Sequence, residues 1–199
     1  MEALIGGVSV HYAEHGEGAT LVALHGAGVD HRDVESALEA VAPAGWRRIY
    51  PDLPGMGATT GDGLAGNDDV VGLLIGFLDR LGAAPVMLLG HSYGAYLARG
   101  VAARRPDLLR GLALLCPLAE RSGPVPDHTV LRQDPDAYDV LGPEHRPGFD
   151  EYFVVRTRQT AQRYRESVAP GIALADHGVL GRIAGNWHLD LGAASTGRS

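Results

Sequence analysis

The sequence contains no lysine: all 17 of its basic residues are arginine. They are dispersed through a chain of formal net charge −7, so no basic stripe or tail is present to hold a polyanion, which excludes nucleic acid as an expected partner. The single cysteine, Cys116, rules out an internal disulfide. At the end of the apolar run "GLALLC" it is expected to be a small buried hydrophobe. No apolar run reaches the ~18 residues that cross a bilayer. The opening "MEALIGGVSVHYAEHG" has neither the basic flank nor the small-residue cleavage site of a leader, so a cytoplasmic protein without a membrane partner is expected. Also missing are His, Cys, Asp and Glu at metal-ligand spacing and a phosphate-cradling glycine loop, so neither a metal nor another cofactor is expected.

What is present suits one hydrophobic core: 199 residues, 45% of them hydrophobic. "GVSVHYAEHG" alternates as a strand, and "TLVALHGAG" is a short continuous apolar run closed by glycines, as in a strand buried on both faces. "DVESALEAVAPAG" reads as an amphipathic helix, "RRIYPDLPGMG" as a strand running into a Pro/Gly loop, and "NDDVVGLLIGFLDRLG" as a helix capped by Asn67 or Asp68. "PVMLLG", "SYGAYLARGVAARRPDLL" and "RGLALLCP" continue the rhythm as strand, helix, strand. This alternation predicts an α/β fold, a mostly parallel sheet with helices on both faces. After Pro117 the rhythm changes to a Pro-, Asp- and Gly-rich stretch followed by "FDEYFVVRTRQTAQRYRES" and "ADHGVLGRIAGNW", two helical patterns without intervening strands. The expected organisation is a core over residues 1–117, a helical lid over 118–190 and a polar tail over 191–199.

Gly90-His91-Ser92-Tyr93-Gly94 is a G-x-S-x-G pattern between a predicted strand and a predicted helix. In that setting the serine stands on a sharp turn with its hydroxyl exposed, and the helix behind it aims free N–H groups at the same place. Ser92 is therefore the candidate nucleophile and the Tyr93 N–H a candidate oxyanion donor. "LHGAG" at the end of the preceding buried strand supplies a second donor, Ala27, on a loop of small residues. His25, Gly26 and His91 flank these groups and are assigned to substrate contact. Trp187, with Tyr138, Tyr152 and Phe153, is expected either to wall an apolar substrate pocket under the helices or to pack in the core.

"LHGAG", "YPDLPGMG" and "LLGHSYGA", in this order across residues 8 to 117, resemble the α/β-hydrolase fold family. The resemblance implies serine-hydrolase or esterase-like chemistry on a small-molecule acyl substrate, with Asp52 and Gly55 in a loop that supports the site. In that family the catalytic acid and histidine follow the lid, on loops after two further strands. "HLDLGAASTGRS" beyond Trp187 shows no strand and no Gly-His loop, so the usual base has no motif position here. His177 beside Asp176 and His188 near Asp190 are the candidates for a base supplied by the lid. The expected function is hydrolysis of an ester, amide or related acyl bond. The alternative is a non-hydrolytic member that binds a carbonyl compound or promotes cyclisation or elimination in the same pocket. A sheet without those last strands keeps an open edge, which would need covering helices or would invite a homo-oligomer.

Overall fold

The computed structural model of the protein describes residues 1–118 and 128–191, and the tail expected over 191–199 lies outside them apart from Leu191. Six strands form one sheet: β1 (Glu2–Ile5), β2 (Val8–His15), β3 (Ala19–Leu24), β4 (Trp46–Pro51), β5 (Val86–His91) and β6 (Leu109–Leu115). Their spatial order is β1-β2-β4-β3-β5-β6. Strands β4, β3, β5 and β6 run parallel to one another, whereas β2 is antiparallel to β1 and β4. The sequence pattern missed β1. Gly6 and Gly7, both at positive φ (56° and 92°), make the two-residue turn that pairs Ile5 with Val8, and a Gly-Gly pair between alternating segments is the local signal for it.

Two helices, α2 (Asn67–Leu81) and α3 (Tyr93–Arg104), cover one face. Val70, Val71, Leu74, Phe77 and Leu78 of α2 pack with Tyr96, Leu97 and Val101 of α3 against Val10, Val22, Ile49 and Leu88 of the sheet. The cap of α2 is Gly66, and Asn67 is its first helical residue, fully buried. On the opposite face stands α1 (Arg32–Leu38), where Val34 meets Ala23, Tyr50 and Leu89.

The segment after the sheet is less regular than its periodicity suggested. Residues 146–152 form α4 (Arg146–Tyr152), which stops before a two-residue strand β8 (Val155–Arg156) that pairs in parallel with β7 (Arg132–Gln133). Thr157 then starts α5 (Arg158–Arg163) with a reciprocal cap to Thr160. A wide turn over Tyr164–Val168 leads into α6 (Ala169–Leu174), where Pro170 withholds one N–H from the helical ladder. The last helix is α7 (His177–Ala184). Phe149, Tyr164 and Val168, joined by Tyr138 and Phe153, make a second core that closes on Val29 of the loop after β3. Tyr138 and Phe153 are thus packing residues, and Tyr152 is exposed. Cys116 is exposed, not buried, at a positive φ of 46° where the chain leaves β6. Among the described residues no helix is long and apolar enough to cross a membrane.

Candidate active site

Ser92 sits between the end of β5 and the start of α3 at φ 51°, ψ −111°, a conformation that costs a non-glycine residue energy and persists only where the surroundings hold it. They do so on three sides. Ser92 N–H donates to Leu115 O (2.9 Å), Ser92 O accepts from Ala95 N (3.1 Å), and Gly94 N–H donates to His25 O (3.1 Å). A β-carbon on Gly94 would stand 2.5 Å from the carbonyl oxygens of Leu24 and His25, so only glycine lets α3 approach β3 this closely. Gly94 N–H is spent on His25 and cannot serve an oxyanion. The Tyr93 N–H, first in its helix, has no acceptor four residues back within that helix.

The loop of residues 25–31 crosses beside this turn and is fastened to residues 52–56 at three points. His25 is fully buried, accepts from Leu53 N–H through Nε2 (2.9 Å) and donates from Nδ1 to Gly26 O (2.7 Å). Burial lowers its pKa and outweighs the Gly26 carbonyl and nearby carboxylates, which act the other way, so it stays neutral. Gly28 N–H points to Met56 Sδ at 3.1 Å. At the far end, Asp52 Oδ1 accepts from both His31 N–H (2.9 Å) and His31 Nδ1 (2.7 Å). Ala27 is exposed between these anchors, and Gly26 lies where a β-carbon would be 3.6 Å from Ser92 Cβ and 3.4 Å from His91 Nδ1.

Several sequence assignments change. With both ring nitrogens engaged and no exposure, His25 is a structural clasp and is withdrawn from substrate contact. Trp187 stacks on Tyr96 (5.2 Å between centroids) and Tyr93 (5.7 Å), while its carbonyl accepts from Asn67 Nδ2, so it locks α2 to α3 instead of walling a pocket with Ser92. His188 is exposed and lines, with Trp187, a groove at the start of α2 that does not include Ser92. His177 is exposed at the start of α7, and Asp176 is occupied capping Gly178 and Val179, not orienting that ring. Among the described residues no histidine makes a hydrogen bond to Ser92 Oγ. His91 turns its ring toward α1, 3.3 Å from Asp33 Oδ2, in a 140 Å³ groove shared with Leu89, Leu115 and Arg163. Asp33 carried no sequence signal, because it lies 58 residues before its partner and reads locally as a helix-start carboxylate.

Residues 19–157 match the profile of the family described as the alpha/beta hydrolase fold. The chain belongs to that family. It is 32% identical over 129 residues to (E)-2-((N-methylformamido)methylene)succinate hydrolase of Acinetobacter baylyi, covering 63% of this chain and 48% of that protein. It is 31% identical over 175 residues to epoxide hydrolase 2 of Siraitia grosvenorii, covering 86% of this chain and 48% of that one. Among solved structures, an alpha/beta superfamily hydrolase from Oenococcus oeni PSU-1 superposes with a TM-score of 0.82 at 29% identity, over 94% of this chain and 71% of that chain. The chain therefore spans about half the length of these curated relatives, which are hydrolases.

Proposed function

We propose that the chain carries the nucleophile and oxyanion groups of a hydrolase acting on the ester, amide or related acyl bond of a small cytoplasmic molecule, without a metal or other cofactor at Ser92. The observation that carries this is the strained Ser92 backbone at the head of α3, held by bonds to Leu115, Ala95 and, through Gly94, His25. Ser92 Oγ would add to the carbonyl carbon while Tyr93 N–H and Ala27 N–H receive the developing oxyanion. The nature of the nucleophile separates the two relatives' chemistries. A serine that opened an epoxide would be left as an alkyl ether, which water does not readily cleave, whereas a serine acylated by an amide or ester forms an ester that water can cleave. The relative whose named substrate carries a formamido group is accordingly the better guide to this site than the epoxide hydrolase.

One observation favours a second reading. Ser92 Oγ has no hydrogen-bonded base among the described residues, and a site without such a base keeps about 10³–10⁴-fold acceleration over water from the oxyanion hole and binding. A pocket of that kind would bind a carbonyl compound or promote a non-hydrolytic step.

Intact-mass analysis of the full chain after exposure to a fluorophosphonate distinguishes the readings. One adduct per chain, lost in Ser92→Ala, is the expected result. A folded protein that takes no adduct would overturn the acyl-enzyme reading in favour of the second.

A further inference from the structure

The geometry points to a second site, for one divalent transition-metal cation, formed by His11, His31 and Asp52. The three residues come from different elements: the middle of β2, the residue before α1 and the residue after β4. One ligand atom from each lies within 4.8 Å of the other two. Asp52 Oδ2 is 2.9 Å from His11 Nδ1, and Asp52 Oδ1 is 2.7 Å from His31 Nδ1. Each short contact is bridged by an imidazole proton. An ion at roughly 2.0–2.2 Å from each donor would take the place of both Nδ1 protons, each of which passes through solvent to its own ring's Nε2 so that both imidazoles stay neutral, and needs the two short contacts to open to about 3.3 Å.

The surroundings favour such an exchange. The Asp52 side chain is 1% exposed and is fixed by His31 N–H on Oδ1 and by Ala58 N–H on Oδ2 (3.0 Å), bonds that ligation leaves in place. The other ring nitrogen of His31 faces Glu35 Oε2 at 3.8 Å, and Glu35 is itself held by His15 Nε2 at 2.5 Å. A carboxylate behind a ligating imidazole orients the ring and raises its basicity. Asp30, the other nearby acid, is already neutralised by Arg32, so the cluster keeps the carboxylates of Asp52 and Glu35 for a dication. The His11 side chain is 28% exposed, which leaves an entry and a fourth position for water on that side. Two imidazole nitrogens with one carboxylate oxygen suit Zn²⁺ or Co²⁺, whereas Mg²⁺ and Ca²⁺ take sets composed of oxygen. A bound ion would tie β2, the end of the 25–31 loop and the turn after β4 at one point, without itself touching Ser92.

The test is calorimetric titration of Zn²⁺ into the tag-free full chain after chelator treatment, with Co²⁺ absorption in the visible as a second readout. Saturable binding of one equivalent, weakened at least about 10-fold in His11→Gln and in His31→Gln, is expected. His177→Gln, at an exposed histidine outside the cluster, should bind as the parent does. Absence of saturable binding, or binding that His11→Gln leaves unchanged, would overturn the site and leave the cluster as a proton-bridged clasp. His11 is partly exposed, so its variant remains folded and informative even where Asp52→Asn does not.

Discussion

At the scale of single residues, two glycines on either side of Ser92 respond differently to the same change. A methyl group at Gly94 would strike the carbonyl oxygens of Leu24 and His25, so Gly94→Ala should cost about 1–3 kcal/mol, read as a lower urea midpoint. At Gly26 the methyl meets Ser92 Cβ and the His91 ring at ordinary contact distances. Gly26→Ala should leave the midpoint unchanged within about 0.5 kcal/mol while slowing fluorophosphonate labelling by intruding on the substrate's space. The buried ring of His25 gives a prediction in pH. Its folded pKa is lowered by burial, so below the unfolded value of about 6.5 the unfolded chain takes a proton that the folded one refuses. That contribution to stability is intact above pH 6.5 and is lost as the pH falls toward the folded pKa. The melting temperature of the parent should therefore fall more steeply from pH 6.5 to 5 than that of His25→Asn. Ser92 and its glycines were legible in the sequence because the pattern between strand and helix is local, although the close approach that Gly94 permits is to β3. The use of His25 was not, since its partner Leu53 lies 28 residues away.

At the scale of elements, the 25–31 loop and residues 52–56 act as one unit, joined through His25, Gly28 and His31. The helix α7 leans on the same region: Val179 packs over the backbone at Gly55 and Gly61, and Arg182 donates to the carbonyls of Gly61 (2.9 Å) and Leu64 (2.9 Å). Asp176 caps α7 by accepting from Gly178 and Val179, and Asp176→Ala should cost about 1 kcal/mol with faster amide exchange confined to residues 176–184 and 55–64. The helical periodicity of residues 149–167 was visible in the sequence. Its interruption was not anticipated, although Thr157 and Thr160 provide the local capping signal for a new start.

At the scale of the whole molecule, β6 is the outermost of the described strands on its side of the sheet, with Leu112 and Leu115 exposed. Arg110 is its one charged residue, and the face toward α1 opens on an apolar groove lined by Leu21, Leu38, Met87, Leu89 and Ala113. An unpaired strand edge with few charges is, in general, a template for pairing between chains. Leu112→Lys should therefore raise the concentration at which light scattering first increases, with no change in the far-ultraviolet circular dichroism spectrum.

The sequence by itself determined the parallel α/β sheet, the serine turn and the paired loop, because periodicity and turn chemistry act between residues a few positions apart. Only the tertiary structure decided what the histidines do. An imidazole is defined by what its two nitrogens meet, and those partners come from other elements. His11, His31 and Asp52, 20 and 21 positions apart, show no ligand spacing along the chain, yet the antiparallel pairing of β2 with β4 and the fastening of the 25–31 loop bring them together. For Trp187 the sequence left pocket wall and core packing open for the same reason: stacking on Tyr93 and Tyr96 depends on how the last segment crosses α3, and hydrophobicity alone does not encode that crossing.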